Sequence, residues 1–308
     1  MLKGEPQCIE RSNPASPEYY FRSIRAMADS PAAYDRVGWA LTWGQSGASN
    51  QPDTVRNPER SVAMVDSRHR VAIVTGAGSG LGAAVVRKLA ARKFAIALVD
   101  LRASWCDTSL DSIGPDRAGL WAFGADLRYL HEAEATVLRV AETLGPPTVV
   151  VNAPFPGRAD SAPELPDWES VVHARLRAPL LVSRAAERYL AESGAGRIVN
   201  VAQVDSSAPK RPDDLVIRET VHALTETLSR ELSPRGVRVN TVVADIGCAT
   251  RPAETAARSR PECCRAAEED TAALVDYLVC DAAGNVSGRM IESRHPVTGS
   301  PPAAGTLR

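Results

Sequence analysis

Apolar and polar positions alternate along this chain in blocks that change period. Val71–Thr75 is an unbroken apolar run ending in threonine, and Gly76-Ala-Gly-Ser-Gly80-Leu-Gly82 is glycine-rich. Ala83 to Ala90 is apolar at helical spacing, and Phe94 to Val99 is a second apolar run closed by Asp100. Short apolar runs predict buried strands and the periodic segment predicts a helix, so this stretch reads as one βαβ unit. The blocks continue. Gly119–Leu127, Pro147–Pro154, Gly196–Gln203 and Arg235–Val243 predict further strands. His131–Leu144 and Glu219–Leu232 predict helices, as does Trp168–Ser193 with Val171, Val172, Leu176, Leu180, Leu181 and Val182 apolar. Residues 247–270 are polar and rich in Ala and Arg, and read as a loop. Leu274–Cys280 and Asn285–Ile291 predict a last helix and a last strand.

The ends differ. Residues 1–67 are rich in Pro, Ser, Asn and Arg but carry Tyr19, Tyr20, Phe21, Tyr34, Trp39 and Trp43. Disordered tails are poor in aromatics, so this extension is expected to be partly helical, over Ser16–Ala28 and Pro31–Trp43, and to pack on something. The Pro/Gly-rich tail, residues 293–308, is expected to be flexible. Residues 68–292 are left as the main domain, within what one hydrophobic core can support. A formal net charge of −1 leaves no electrostatic footprint for nucleic acid or an anionic membrane. No apolar run reaches the length of a membrane span and no signal-peptide core is visible, which points to a cytoplasmic protein. The six cysteines, Cys8, Cys106, Cys248, Cys263, Cys264 and Cys280, lack metal-ligand spacing and are expected to be reduced thiols, with no metal site.

The glycine turn carries chemistry. Glycine is needed where the backbone takes positive φ or approaches a ligand closely. A helix that starts in such a turn points free N–H groups and its positive dipole end at a phosphate. Asp100 follows Gly82 by eighteen residues, where a carboxylate can accept hydrogen bonds from an adenosine ribose and repel a 2′-phosphate. NAD is therefore the expected cofactor, ahead of NADP. Because the spacing is Thr-Gly-x-x-x-Gly-x-Gly, the chain resembles the short-chain dehydrogenase/reductase family over residues 70–292. The resemblance implies an α/β, Rossmann-type doubly wound parallel sheet with helices on both faces. It also implies a cofactor site of Thr75, Gly76, Ser79, Gly80, Leu81, Gly82, Asp100, Asp126, Leu127, Asn152 and Ala153. Asp126-Leu127 matches the pair beside the adenine. Asn152-Ala153-Pro154 resembles an Asn-Ala-Gly signature with proline for glycine, which removes an N–H and fixes φ. Ala244-Asp245 replaces the usual Pro-Gly.

Members of that family use a Ser to hold the substrate oxygen, a Tyr to protonate the alkoxide, a Lys one turn later and an Asn for a relay water. The register set by Leu224-Thr225, Leu228 and Glu231-Leu232 puts the Tyr position at Asp214 and the Lys position at Arg218. Counting from Ile198-Val199-Asn200 puts the Ser position at Gln203, and counting from Trp168 puts the Asn position at Arg175. All four are substituted, and no shift of register restores the motif. Tyr189 and Tyr277, the only tyrosines after Tyr129, belong to other elements, and Lys210 is the only lysine after Lys93. Arg218 keeps a positive charge suited to the nicotinamide ribose. Asp214 and Arg218, in i,i+4 relation, can pair, and Asp214 is otherwise open to acting as a base or to being a solvated helix-start residue. Gln203 donates but is no general acid. Arg175 is open to an anion, to a carboxylate or to filling the old pocket. Asp205, Asp213 and His222 are spare titratable groups, expected at the surface.

Three functions fit: a dinucleotide-binding relative without hydride transfer, an NAD-dependent oxidoreductase with substituted acid/base residues, and a cyclase or dehydratase of natural-product biosynthesis on the same fold. The first is the leading expectation. A small-molecule ligand of unknown identity is expected, and a homo-oligomer formed through the helices at 168–193 and 214–232.

Overall fold

A computed structural model describes residues 70–114, 117–154, 168–204, 212–245 and 262–293. The N-terminal extension, the C-terminal tail, Asp205 and the Asp213 side chain lie outside the described residues.

The strands are β1 (Val71–Thr75), β2 (Ala95–Asp100), β3 (Leu120–Gly124), β4 (Pro147–Asn152), β5 (Arg197–Val204), β6 (Arg238–Asp245) and β7 (Met290–Ser293). They form one seven-stranded sheet in the order β3-β2-β1-β4-β5-β6-β7, and every pairing is parallel. The α/β doubly wound class expected from the sequence is what folds.

Side chains alternate across the sheet. Ala72, Val74, Ile96 and Leu98 meet helices α1 (Gly80–Ala91) and α7 (Glu262–Val279) on one face. Val71, Ile73, Ala97 and Val99 share the other face with α3 (Leu130–Leu144), α5 (Ala178–Glu192) and α6 (Pro212–Leu232). The short α2 (Asp107–Asp111) and α4 (Trp168–Val172) complete the helices of the described residues. Burial on both faces explains why β1, β2 and β4 read as continuous apolar runs. The strand order reverses between β1 and β4, and ligands of such sheets bind at that switch, outside the carboxyl ends of the strands.

Several boundaries differ from the sequence reading. The expected Trp168–Ser193 helix is α4, a π-helical segment over His173–Arg177, and α5. Helix α6 starts at Pro212 rather than Glu219. Among the described side chains of its first turns Leu215 and Val216 are exposed and only Ile217 is buried, so no stripe marked the start. Helix α7 starts at Glu262 rather than Leu274. Its early buried face is Cys264, Ala267, Glu268, Thr271 and Ala272, small or polar residues that carry no hydrophobic period. The last strand is Met290–Ser293, later than expected. Cys264 is disulfide-bonded, against the expectation of reduced thiols, whereas Cys106 and Cys280 are free.

Arg184 on α5 holds Glu231 on α6 through a two-pronged pair with N–O distances of 2.7 Å. The hydrogen bonds from Arg184 hold the Glu231 carboxyl below the usual carboxylate range, outweighing burial. A carboxylate whose pKa is lowered in the folded state stabilises fully above its unfolded value, about 4.3, and loses that contribution as pH falls through the lowered value. Both side chains are substantially exposed, at 38% and 47%, so solvent screening limits the effect. Glu231→Gln is expected to cost about 0.5–1 kcal/mol at neutral pH and almost nothing near pH 3; urea melts at the two pH values measure this.

Candidate nucleotide site and the substituted pocket

The turn after β1 is built by contacts that exclude side chains. Gly76 has φ +66, and a Cβ there would lie 2.2 Å from Ala153 O. A Cβ on Gly82 would lie 2.2 Å from Gly76 O. Ser79 caps α1: its Oγ accepts from Gly82 N at 3.0 Å and donates to Gly76 O at 2.8 Å. The helix therefore opens on Gly80 and Leu81, whose N–H groups have no intrahelical acceptor. That is the arrangement that takes a phosphate, so the residues present fit a dinucleotide.

Gly78 has a role the spacing did not reveal. Its N–H donates to Asp100 Oδ2 at 2.9 Å, and a Cβ there would meet both this carboxylate and Trp105 O. Asp100 Oδ1 accepts from Leu101 N at 2.8 Å. The backbone thus fixes the carboxylate at the end of β2, where a ribose hydroxyl would meet it. Beyond β3, Arg128 grips Asp126 with Nε to Oδ1 at 2.8 Å and Nη2 to Oδ2 at 2.6 Å. Burial raises the Asp126 carboxyl, but the Arg128 hydrogen bonds and charge outweigh it and hold the group below its ordinary value. Leu127, beside them, packs against the core.

A buried polar chain joins the two halves of the carboxyl edge. Thr75 Oγ1 lies 3.4 Å from Asn152 Oδ1, and Asn152 Nδ2 donates to Asn200 Oδ1 at 2.9 Å. Asn200 Nδ2 and Thr241 Oγ1 both donate to Thr225 Oγ1 at 2.8 Å. Asn152, Asn200, Thr225 and Thr241 are each at most 1% exposed. Asn152 serves this internal ladder, and Ala153 N donates to Thr75 O at 3.3 Å, so both shape the floor of the site.

Two of the four positions expected for the tetrad meet. Arg175, in the π-helical segment, donates from Nη1 to Asp214 Oδ1 at 3.0 Å, with side chains only 10% and 20% exposed. The Asp214–Arg218 pair that the helix spacing allows does not form. Arg218 turns instead to Glu292 at 3.3 Å and Glu219 at 3.2 Å. Glu292 ends up within reach because β7 runs beside β6, a pairing invisible from helix spacing. Gln203, 6% exposed, donates from Nε2 to Pro154 O at 3.2 Å. Its amide is spent tying β5 to Pro154. His222 is half-buried rather than at the surface, and its Nδ1 has no partner among the described residues.

The sheet order, the switch-point turn and the terminal Asp100 define a nucleotide-binding α/β protein. A family profile of short chain dehydrogenases matches residues 70–258, and the chain belongs to that family, whose members bind NAD(P). It is 33% identical over 179 residues to D-threitol dehydrogenase of Mycolicibacterium smegmatis, covering 56% of this chain and 68% of the relative. It is 30% identical over 239 residues to a galactitol 2-dehydrogenase (L-tagatose-forming) of Cereibacter sphaeroides, covering 71% and 91%. A crystal structure assigned to the short-chain dehydrogenases/reductases, from Burkholderia xenovorans, superposes with TM-score 0.59 at 22% identity, covering 72% of this chain and 94% of that one. No helix of the described residues is long and apolar enough to cross a membrane.

Proposed function

We propose that this chain binds a dinucleotide, NAD(H) in preference to NADP(H), and does not catalyse the hydride transfer of its relatives. The reading rests on the Arg175–Asp214 ion pair, 3.0 Å across and largely buried, which takes up two of the four positions assigned to the catalytic tetrad. A bound nicotinamide supplies or accepts hydride. Reduction of a carbonyl then needs a proton delivered to the alkoxide oxygen and a donor that holds that oxygen. Asp214 is committed to a guanidinium, and Gln203 Nε2 is committed to the Pro154 carbonyl. Neither is a hydroxyl. What this chain's residues would do is hold: the glycine turn would cradle the pyrophosphate, Asp100 would take the ribose hydroxyls, and Arg218 would supply a positive charge suited to the second ribose.

The expected result is NAD binding at least about tenfold tighter than NADP, because a 2′-phosphate meets the fixed Asp100 carboxylate. Calorimetric titration of the full chain checks this. Tighter NADP binding, or none of either, overturns it. Threitol, galactitol and a panel of ketones should give no steady nucleotide turnover, and turnover by any of them would restore the oxidoreductase reading.

A further inference from the structure

The amino edge of the sheet, opposite the glycine turn, carries a concentration of positive charge. Arg197 opens β5, Arg238 opens β6, and the two are in-register partners on neighbouring parallel strands. Strands in a sheet lie about 4.8 Å apart, and like charges directly opposite destabilise. Arg70, just before β1, lies close enough to act electrostatically on both. Arg197 and Arg238 are only 7% and 9% exposed.

Much of this charge is matched by dipoles rather than by carboxylates. Arg70 Nη2 donates to Val279 O at 3.0 Å and its guanidinium lies over Phe94 at 5.0 Å. Arg238 donates to Ala283 O and, at 3.1 Å, to Cys280 O. These carbonyls lie at and just beyond the end of α7, where the helix dipole is negative, which accounts for part of the cluster. Arg197 is the exception. Among the described residues its Nη1 reaches only the neighbouring Gly196 O, and its buried Nε has no partner. Its one carboxylate contact among the described residues is Asp281 at 3.5 Å, too long for a hydrogen bond, and that side chain is 87% exposed. Burial, with Arg238 and Arg70 nearby, pulls the Arg197 guanidinium down to about 10. Cys280, between these groups, has its thiol pushed up by burial, so it supplies no anion near neutral pH. The neighbouring Arg92 and Asp276 neutralise each other through a two-pronged pair.

A buried guanidinium with unspent donors, beside two like charges and one solvated carboxylate, is left without full compensation. We infer that the amino edge of β1, β5 and β6 is a binding site for a doubly charged tetrahedral oxyanion, a phosphate or sulfate group, held by Arg197 with Arg70 and Arg238 in support. The anion would displace Asp281 from its loose contact and supply the charge-assisted acceptors these donors lack. This site lies across the sheet from the nucleotide turn and does not depend on the reading of that turn.

The test uses thermal melts of the full chain with inorganic phosphate, against sodium chloride at equal ionic strength. Phosphate should raise the melting temperature beyond the chloride control. Arg197→Gln should weaken the apparent phosphate affinity about tenfold, the loss of one charge-assisted contact. Asp281→Asn removes the competing carboxylate at an exposed position and should tighten phosphate several-fold. If Arg197→Gln does not fold, Asp281→Asn carries the test alone. Equal effects of phosphate and chloride overturn the proposal, and so does phosphate binding that Asp281→Asn leaves unchanged. Phosphate seated at the glycine turn would respond to neither substitution and counts against it in the same way.

Discussion

Asp214→Ala is expected to destabilise the domain by about 3 kcal/mol, because it strands a charged Arg175 in a largely dry position. Arg175 is 9% exposed, its Nη1 is bound to Asp214, and its Nε already has no partner among the described residues. Removing one member of a buried pair costs roughly 3–5 kcal/mol, while removing both can be close to neutral. For a domain of this size 3 kcal/mol corresponds to a fall of roughly 6–12 °C in melting temperature. Arg175→Asn with Asp214→Ala together should therefore cost less than Asp214→Ala alone. Calorimetric melts of the single and double variants read the coupling directly. Additive losses would mean that the pair is solvent-screened and does not close the pocket, and the proposed function would lose its main support.

The glycine turn of this molecule was legible in the sequence, and the reason is steric. Gly76 and Gly82 sit where a Cβ would be 2.2 Å from backbone oxygen, so the fold tolerates little else and the spacing survives as a readable pattern. Asp100 was legible for a related reason, since it ends a strand whose register with β1 places it beside the turn. The role of Gly78 was not legible, because its N–H bond to Asp100 spans a loop that spacing does not resolve. Of the expected tetrad positions, Arg175 meets a carboxylate, one of the partners left open for it, but which carboxylate was not legible. Spacing along α6 allowed Asp214 with Arg218, but Arg175 and Glu292 arrive from the π-helical segment and from β7. Both are tertiary neighbours, which carry no local signal. The hidden length of α7 has the same origin, since alanine, threonine and glutamate form much of its early buried face.

Placing the four family side chains at the positions expected for them tests the proposed absence of hydride transfer. The set is Gln203→Ser, Asp214→Tyr, Arg218→Lys and Arg175→Asn. Arg175→Asn and Asp214→Tyr remove both members of the buried pair together, so neither leaves an unpaired charge. Gln203→Ser frees the Pro154 carbonyl and places a hydroxyl where the substrate oxygen should lie. Arg218→Lys keeps the cation that meets Glu292 at 3.3 Å in the native chain. General acid–base assistance is worth roughly 10²–10⁴-fold, and an aligned oxyanion donor roughly 10²–10³-fold. The quadruple variant should therefore oxidise NADH with small ketones at a rate at least about 100-fold above the wild type, whose rate is expected at background. The signal is the loss of nicotinamide absorbance, with retention of NAD binding by the variant checked in parallel. A variant that binds NAD but stays at background would mean that the Pro154 turn has closed the substrate space. A wild type faster than the quadruple variant would mean that Asp214 or a neighbour is a working catalyst, and the oxidoreductase reading would then stand in place of the one proposed.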